Sequence, residues 1–303
     1  MNRRQFIRLA GGALGLAAIP SLGAAAAPAL LRKPIPSSGE QIPAIGMGTW
    51  ITFNIGDDPL AQEQRSEVLR TFFAQGGGMI DSSPMYGSAE AVLGELLPRL
   101  GEQPGLFSAT KVWTSSGDDG PAEIEASRRL WGVQRFDLLQ VHNLLAWERH
   151  LETLVDMQAR GQLRYVGITT SHGRRHADML RVMRDWPIDF VQASYNILDR
   201  EVETEILPLA AERGIAFIAN RPYRRGELID FAKRHPLPDW AADIDCPHWA
   251  AFLLKFIVSH PAVTCAIPAT SRVDHMLENM SAMHGRQPDA AMRERMAGYV
   301  ATL

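Results

Sequence analysis

Four ionisable side chains follow apolar runs that the sequence predicts as β-strands. Asp81 ends one short run, and Tyr86 follows it five residues later. Two later runs end in Lys111 and in His142. If these runs are parallel strands of one sheet, their carboxyl ends lie side by side and the four groups share a pocket. The candidate catalytic residues are therefore Asp81, Tyr86, Lys111 and His142.

This combination of groups suits the reduction of a carbonyl. A tyrosine has a pKa of about 10, and an ammonium beside it would favour the phenolate and lower that pKa. Asp81 would keep Lys111 charged and oriented, while His142 could donate a hydrogen bond to a substrate oxygen. Such a set stabilises and protonates the alkoxide that forms when hydride adds to a carbonyl. Metal hydrolysis, glycoside hydrolysis and acyl transfer fit less well, because the set lacks their metal cluster, carboxylate pair or nucleophile.

The segments that must position these groups alternate between strand and helix patterns. The apolar runs lack strict polar alternation, which is usual for parallel strands buried on both faces. Eight such units in about 250 residues predict an α/β fold, a single-domain (β/α)8 TIM barrel over residues 45–303. Residues 28–44 are expected to be a linker or N-terminal cap, and the last clear helix is expected over residues 273–282. The alternative is a doubly wound sheet, but the Gly-rich turn that it would need after Ile45 is absent.

The composition excludes several classes of function. A chain of 303 residues with 46% hydrophobic and 21% charged residues is ordinary for a globular protein. The formal net charge of −3 argues against a nucleic-acid partner. Cys246 and Cys265 have no metal-ligand spacing, so no metal site is expected.

The first residues have the three-part plan of an export signal. Arg3 and Arg4 precede a Gly/Ala-rich apolar run, and the small residues Ala24 to Ala27 offer a cleavage site. This order resembles a twin-arginine signal, so residues 1–27 are expected to be a cleaved signal peptide. The protein would then be periplasmic and would meet the membrane only transiently. The alternatives are an uncleaved N-terminus that anchors the protein to the membrane, a disordered basic tail, or an amphipathic surface helix.

The chain resembles the aldo-keto reductase family from about residue 46 to about residue 279. The family's motifs occur in order as Gly48-Thr49-Trp50, Asp81 with Tyr86-Gly87, Lys111, Asp137 to His142, Gln192 with Tyr195-Asn196, and Ile267-Pro268 with Glu278-Asn279. The resemblance implies an NAD(P)H-dependent oxidoreductase that reduces an aldehyde or ketone to an alcohol. It makes Tyr86 the general acid, and it lets His142 orient or polarise the carbonyl.

The resemblance also implies a nicotinamide cofactor, NADP(H) in preference to NAD(H). Tyr195 would stack on the nicotinamide, and Gln192 would hold its carboxamide. Where the family has a Ser-Asn pair after the fifth strand, this chain has Thr169 and Thr170. Further cofactor contacts are expected from Gly48, Thr49, Trp50 and Asp81.

The phosphates of the cofactor would meet the ends of the last two strands. Asn220-Arg221-Pro-Tyr-Arg-Arg225 stands in place of the family's aromatic-Ser-Pro-Leu turn, and its arginines either hold the pyrophosphate or face solvent. Arg272 would bind the 2′-phosphate through its fork of donors; alternatively, it starts a helix and faces solvent. His275 stands where many family members have a second arginine. The residues implied at this end are Thr270, Ser271, Arg272, Glu278 and Asn279.

Other functions remain open from the sequence. The chain could be a non-catalytic or regulatory nucleotide-binding member of the same fold. It could also be a barrel isomerase or aldolase that uses Lys111 as a Schiff base, which requires a neutral lysine. We expect a monomer acting on a small-molecule carbonyl substrate. The loops over residues 51–58, 113–120 and 144–150 would set specificity, with Trp50, Trp113 and Trp147 as candidate pocket walls.

Overall fold

The structure, a computed structural model, describes residues 30–303. The signal peptide expected over residues 1–27 therefore lies outside the described residues. None of the helices in residues 30–303 has the length and apolar character needed to cross a membrane.

A short antiparallel hairpin, β1 (Arg32–Pro34) and β2 (Gln41–Pro43), precedes the barrel. It occupies much of the segment expected to be a linker or cap, and it covers the amino-terminal end of the barrel. Ile35 and Ile42 are buried there in one apolar cluster with side chains that fill the barrel interior. The hydroxyl groups of Ser38 and Tyr165 are 2.8 Å apart, which ties the hairpin turn to a barrel strand.

Eight parallel strands follow, and each pairs with the next strand along the chain. The strands are β3 (Met47–Gly48), β4 (Met79–Asp81), β5 (Phe107–Val112), β6 (Phe136–Val141), β7 (Leu163–Thr169), β8 (Phe190–Ser194), β9 (Ala216–Asn220) and β10 (Val263–Ala266). A parallel bridge between Ile45 and Ala266 joins the two ends of the sheet. The amide of Gly46 donates to the carbonyl of Ala266 at 2.8 Å. The sheet therefore curves into a closed barrel.

Helices connect the strands and pack around the sheet. They are α1 (Pro59–Ala74), α2 (Ala89–Arg99), α3 (Gly120–Trp131), α4 (Trp147–Ala159), α5 (His176–Asp185), α6 (Ile206–Arg213), α7 (Glu227–Ala232), α8 (Trp249–Val258), α9 (Val273–Ser281) and α10 (Ala290–Val300). Local sequence sets several helix ends. The Asp58 carboxylate accepts from the first free amides of α1, while Gly132 and Gly214 end α3 and α6 in the left-handed conformation. The predicted single-domain (β/α)8 barrel is confirmed.

One helix that the sequence analysis did not predict, α10, ends the chain. The Asp289 side chain accepts from the amide of Met292 and begins the helix. Met296 and Val300 are buried one and two turns later. Arg293 lies on the buried side as well, and a charged residue among apolar ones obscured the helical pattern.

Candidate active site

A cavity of about 430 Å³ opens at the carboxyl ends of the barrel strands. Its wall is formed by residues that follow β3, β4, β6, β7, β9 and β10. Asp81, Tyr86 and His142 line it together. Parallel strands bring their carboxyl ends to one face of a barrel, so the predicted grouping of these side chains is what the structure shows.

Lys111 lies behind this wall and is completely buried. Its Nζ donates to Asp81 Oδ2 at 2.5 Å and to the Ser82 carbonyl oxygen at 2.7 Å. Burial alone would lower the pKa of Lys111, but the charge and hydrogen bond of Asp81, together with the contribution of Tyr86, outweigh burial and the pKa is raised. Lys111 is therefore an ammonium at neutral pH. This charge argues against the Schiff-base alternative, which needs a neutral amine.

Tyr86 lies between this ammonium and the cavity. It ends the short helical turn Pro84–Tyr86 that follows β4, and Lys111 Nζ is 5.1 Å from the centre of its ring. Burial raises the pKa of Tyr86, and the opposing effect of Lys111 is smaller, so the net direction is upward. The expected lowering by Lys111 is thus present but is outweighed by desolvation. The phenol keeps its proton at neutral pH and can give it away.

His142 follows β6 and meets Tyr86 edge-on, with ring centres 5.7 Å apart. Burial, together with the charge of Lys111, lowers the pKa of His142 to about 2. The imidazole is therefore neutral at physiological pH. Its Nδ1 lies 2.8 Å from the Ser83 hydroxyl. In this state His142 can form hydrogen bonds in the cavity but carries no positive charge.

Two glutamine side chains donate hydrogen bonds to the Asp81 carboxylate. Gln140 Nε2 donates to Asp81 Oδ1 at 2.9 Å, and Gln192 Nε2 donates to the same oxygen at 3.2 Å. Sequence analysis missed Gln140, although alternation along a strand places it on the same face as His142, two residues later. With Lys111, these donors hold the carboxylate in one orientation.

Comparison with known proteins decides the family. The sequence profile of the aldo/keto reductase family matches residues 44–296, which include every strand of the barrel. This chain belongs to the aldo/keto reductase family. The family resemblance expected from the motifs is confirmed.

Named relatives of this family member are distant. Aldo-keto reductase YhdN of Bacillus subtilis is 26% identical over 209 residues, which are 64% of this chain and 62% of that protein, less than two thirds of its length. The NADH-specific methylglyoxal reductase of Escherichia coli is 24% identical over 69% of this chain and 72% of that protein. An aldo/keto reductase of Klebsiella pneumoniae, solved with NADP and acetate, is 21% identical with a TM-score of 0.73, covering 86% of this chain and 92% of that chain. This last likeness supports the fold.

Most residues that the family resemblance implied at the cofactor line the cavity. They are Gly48, Thr49, Trp50, Asp81, Thr169, Gln192, Asn220, Arg221, Thr270, Glu278 and Asn279. Of the arginines in the turn after β9, Arg225 also lines the cavity, and so does Lys233, which sequence analysis did not assign to it. Both residues follow β9 along the chain. His275 on α9 faces the same cavity.

Tyr195 is a correction, because it does not line the cavity. It is completely buried among Phe217, Phe256 and His260. Its hydroxyl donates to Glu203 at 2.5 Å, so its partners lie outside the barrel. Alternation explains the error: Gln192 points into the barrel, and a residue three positions later points away. Stacking on the nicotinamide, as expected of Tyr195, is excluded by this placement.

Thr170, Ser271 and Arg272 also lie outside the cavity wall. The Thr170 hydroxyl donates to the His172 carbonyl at 2.9 Å and is buried. Arg272 is the residue before α9, and its guanidinium pairs with Asp274 at an exposed site. The solvent-facing alternative for Arg272 is the one that the structure shows.

The three candidate tryptophans have different surroundings. Trp50 lines the cavity, and the guanidinium of Arg225 stacks 4.4 Å from the centre of its ring. The ring of Trp113 is 6.5 Å from that of His142 and is 41% exposed. Trp147 is buried against Trp186, so it belongs to the packing and not to a pocket wall.

Within residues 30–303, no group of three or more His, Cys, Asp or Glu side chains is arranged to hold a metal ion. Cys246 and Cys265 are buried free thiols. Burial raises the pKa of Cys246 to about 11, so this thiol stays protonated and unreactive at neutral pH.

Proposed function

We propose that this protein is an enzyme that reduces an aldehyde or ketone to an alcohol with NAD(P)H. The observation that carries the proposal is the buried Lys111 ammonium against the neutral Tyr86 phenol at the cavity wall. An ammonium in this position stabilises the phenolate that remains after proton donation. A module that only binds a nucleotide has no need of this pair. Relatives named as reductases support the same activity.

The cavity has the polar groups that a nicotinamide nucleotide needs. Thr169, Gln192 and Asn220 present hydroxyl and amide groups near the catalytic wall. Arg221 and Arg225 follow β9 and would hold the phosphates. The nucleotide, when bound, supplies the hydride for the reduction.

We favour NADP(H) over NAD(H). The wall beside Glu278 and Asn279 includes His275, and Lys233 also faces the cavity, so nitrogen donors are available for a 2′-phosphate. The relative from Klebsiella pneumoniae was solved with NADP, whereas the Escherichia coli relative is named NADH-specific. The name of the latter makes the comparison of the two cofactors an essential part of the test.

The residues of this chain divide the remaining chemistry among themselves. His142 donates a hydrogen bond that orients the carbonyl oxygen and makes its carbon more electrophilic. As negative charge develops on that oxygen, Tyr86 transfers its phenolic proton to it. Lys111 stabilises the resulting phenolate until the proton is replaced. Asp81 holds Lys111 in place throughout.

We propose that the substrate has an apolar part next to its carbonyl. Ile51 and Met85 line the cavity, yet they are 62% and 39% exposed. Trp113 is partly exposed beside His142. Exposed apolar side chains around one opening are unusual unless something binds there.

We further propose that the protein is exported by a twin-arginine signal, matures by loss of residues 1–27, and acts in the periplasm as a monomer. The order of Arg3-Arg4, apolar run and Ala-rich site supports this proposal. Twin-arginine export carries folded proteins, which would let a cofactor be bound before export.

Titration with nucleotide tests the proposed activity. The purified protein should quench or shift NADPH fluorescence on binding, and it should bind NADH more weakly. The bound NADPH should then be oxidised on addition of members of a panel of aldehydes, ketones, quinones and sugars. Absence of binding to either nucleotide would contradict the proposal.

A further inference from the structure

Ser83 makes a contact with His142 that the proposed mechanism has not yet used. It lies two residues after Asp81, and it is completely buried. Its Oγ lies 2.8 Å from His142 Nδ1. The amide of Met85 donates to the same Oγ at 3.2 Å. The hydroxyl therefore has two neighbours with different hydrogen-bonding needs.

The Ser83 hydroxyl has one proton, and the need of that proton for an acceptor decides the direction of the hydrogen bond with His142. The Met85 amide is always a donor, so it uses Oγ as an acceptor. Among the described residues, the remaining partner of the Ser83 hydroxyl is His142 Nδ1. If Nδ1 carried a proton, the hydroxyl proton would be buried without an acceptor, and this is costly. The Ser83 hydroxyl therefore donates its proton to His142 Nδ1, and Nδ1 carries no proton of its own.

The second ring nitrogen follows from this bond. A neutral imidazole has one protonated and one bare nitrogen, so a bare Nδ1 places the proton on Nε2. His142 lines the cavity, and the ring's other polar edge is already used by Ser83. The opposite tautomer would present a lone pair to a carbonyl oxygen, and two lone pairs repel each other.

We propose that Ser83 is a positioning residue that holds His142 in the Nε2-protonated form, which makes it a hydrogen-bond donor to the substrate carbonyl. The inference deepens the proposed carbonyl reduction and rests on it for its catalytic meaning. Its structural part, the choice of tautomer by Ser83, stands apart from any turnover.

The test is ¹⁵N NMR of histidine-labelled protein at neutral pH, because bare and protonated ring nitrogens differ widely in shift. The His142 signals are assigned by their loss in His142→Gln. In the unaltered protein, Nδ1 should be the bare nitrogen. In Ser83→Ala, His142 should show both tautomers in exchange. Ser127→Ala is the matched control, since Ser127 is also buried and donates one hydrogen bond, to Glu90; it should leave the His142 pattern unchanged.

Turnover gives the second measurement. With NADPH saturating, Ser83→Ala should lower kcat by about fivefold to tenfold, the effect of one neutral hydrogen bond, with the Kd for NADPH unchanged. A protonated Nδ1 in the unaltered protein, or an unchanged tautomer in Ser83→Ala, would overturn the assignment. If no carbonyl compound is reduced by the unaltered protein, the proposed function fails, but the NMR comparison still decides the role of Ser83.

Discussion

Burial shifts the pKa values of two neighbouring residues of the site in opposite directions. It raises the pKa of Tyr86 and lowers that of His142 to about 2, so both are neutral at physiological pH. Lys111 is more deeply buried than either, yet Asp81 keeps it charged. The site therefore presents two neutral hydrogen-bonding groups to the cavity and places one positive charge behind them.

The pH dependence of reduction follows from these directions. Tyr86 acts as an acid while it is protonated, and a pKa above its ordinary value of 10.0 extends that range upward. His142 does not titrate near neutrality because its pKa is about 2. With NADPH saturating, kcat for reduction should be level through the neutral range and fall only in strongly alkaline solution. A loss of rate between about pH 6 and pH 8, the range where an unperturbed histidine titrates, would assign the proton to another group.

The residues of the site were predictable where strand position alone decided them. Asp81, Lys111 and His142 follow apolar runs, so a barrel brings them together whatever its details. The prediction that Tyr195 stacks on the nicotinamide was wrong, because the direction of its side chain depends on its spacing from Gln192, which the motif alone does not take into account. The pairing of Arg272 with Asp274 depends on the start of α9, which the sequence does not define to one residue.

Two elements at the ends of the described chain were not predicted. The hairpin of β1 and β2 is formed by a Pro- and Ser-rich segment, and its strands are three residues each. Strands this short have little periodicity to detect. The helix α10 has its apolar residues four apart, but Arg293 interrupts the apolar face. Tertiary contacts, which the sequence does not display, stabilise both elements.

Arg293 anchors α10 to the barrel. Its guanidinium donates to the Tyr195 hydroxyl at 2.7 Å and to Glu203 at 3.1 Å, and its side chain is 8% exposed. Arg293→Met should lower the free energy of unfolding by about 2 kcal/mol, because it removes charged hydrogen bonds to buried partners. Urea denaturation followed by tryptophan fluorescence measures this loss.

Glu294 on the same helix provides the control. It pairs with Arg200 at 2.8 Å, but its side chain is 68% exposed. Glu294→Gln should change stability by less than about 0.5 kcal/mol, as is usual for an exposed ion pair. Equal losses in the two variants would show that Arg293 is not the anchor.

At the scale of the whole molecule, the described residues form a barrel with the candidate active-site cavity, and the proposed export signal lies in the residues before them. Replacement of the arginine pair, Arg3→Lys with Arg4→Lys, should retain the protein in the cytoplasm, because the twin-arginine pathway recognises that pair. Fractionation and mass spectrometry of the N-terminus measure the outcome. The variant Arg8→Lys, outside the pair, is the control and should still be exported. Export of the Arg3→Lys, Arg4→Lys variant to the periplasm, or periplasmic unaltered protein that retains Met1, would contradict the proposal.

The central claim is that Tyr86 supplies the proton for carbonyl reduction, and Tyr86→Phe tests it most directly. This change removes one hydroxyl and keeps the ring that meets His142 and Lys111. The measurement is single-turnover oxidation of bound NADPH by the best carbonyl substrate of the panel, with NADPH affinity titrated in parallel. We predict a rate at least about 100-fold lower, the usual contribution of a general acid, with the Kd for NADPH unchanged. An undiminished rate in Tyr86→Phe would contradict the account and would favour the non-catalytic, nucleotide-binding alternative or a different proton donor.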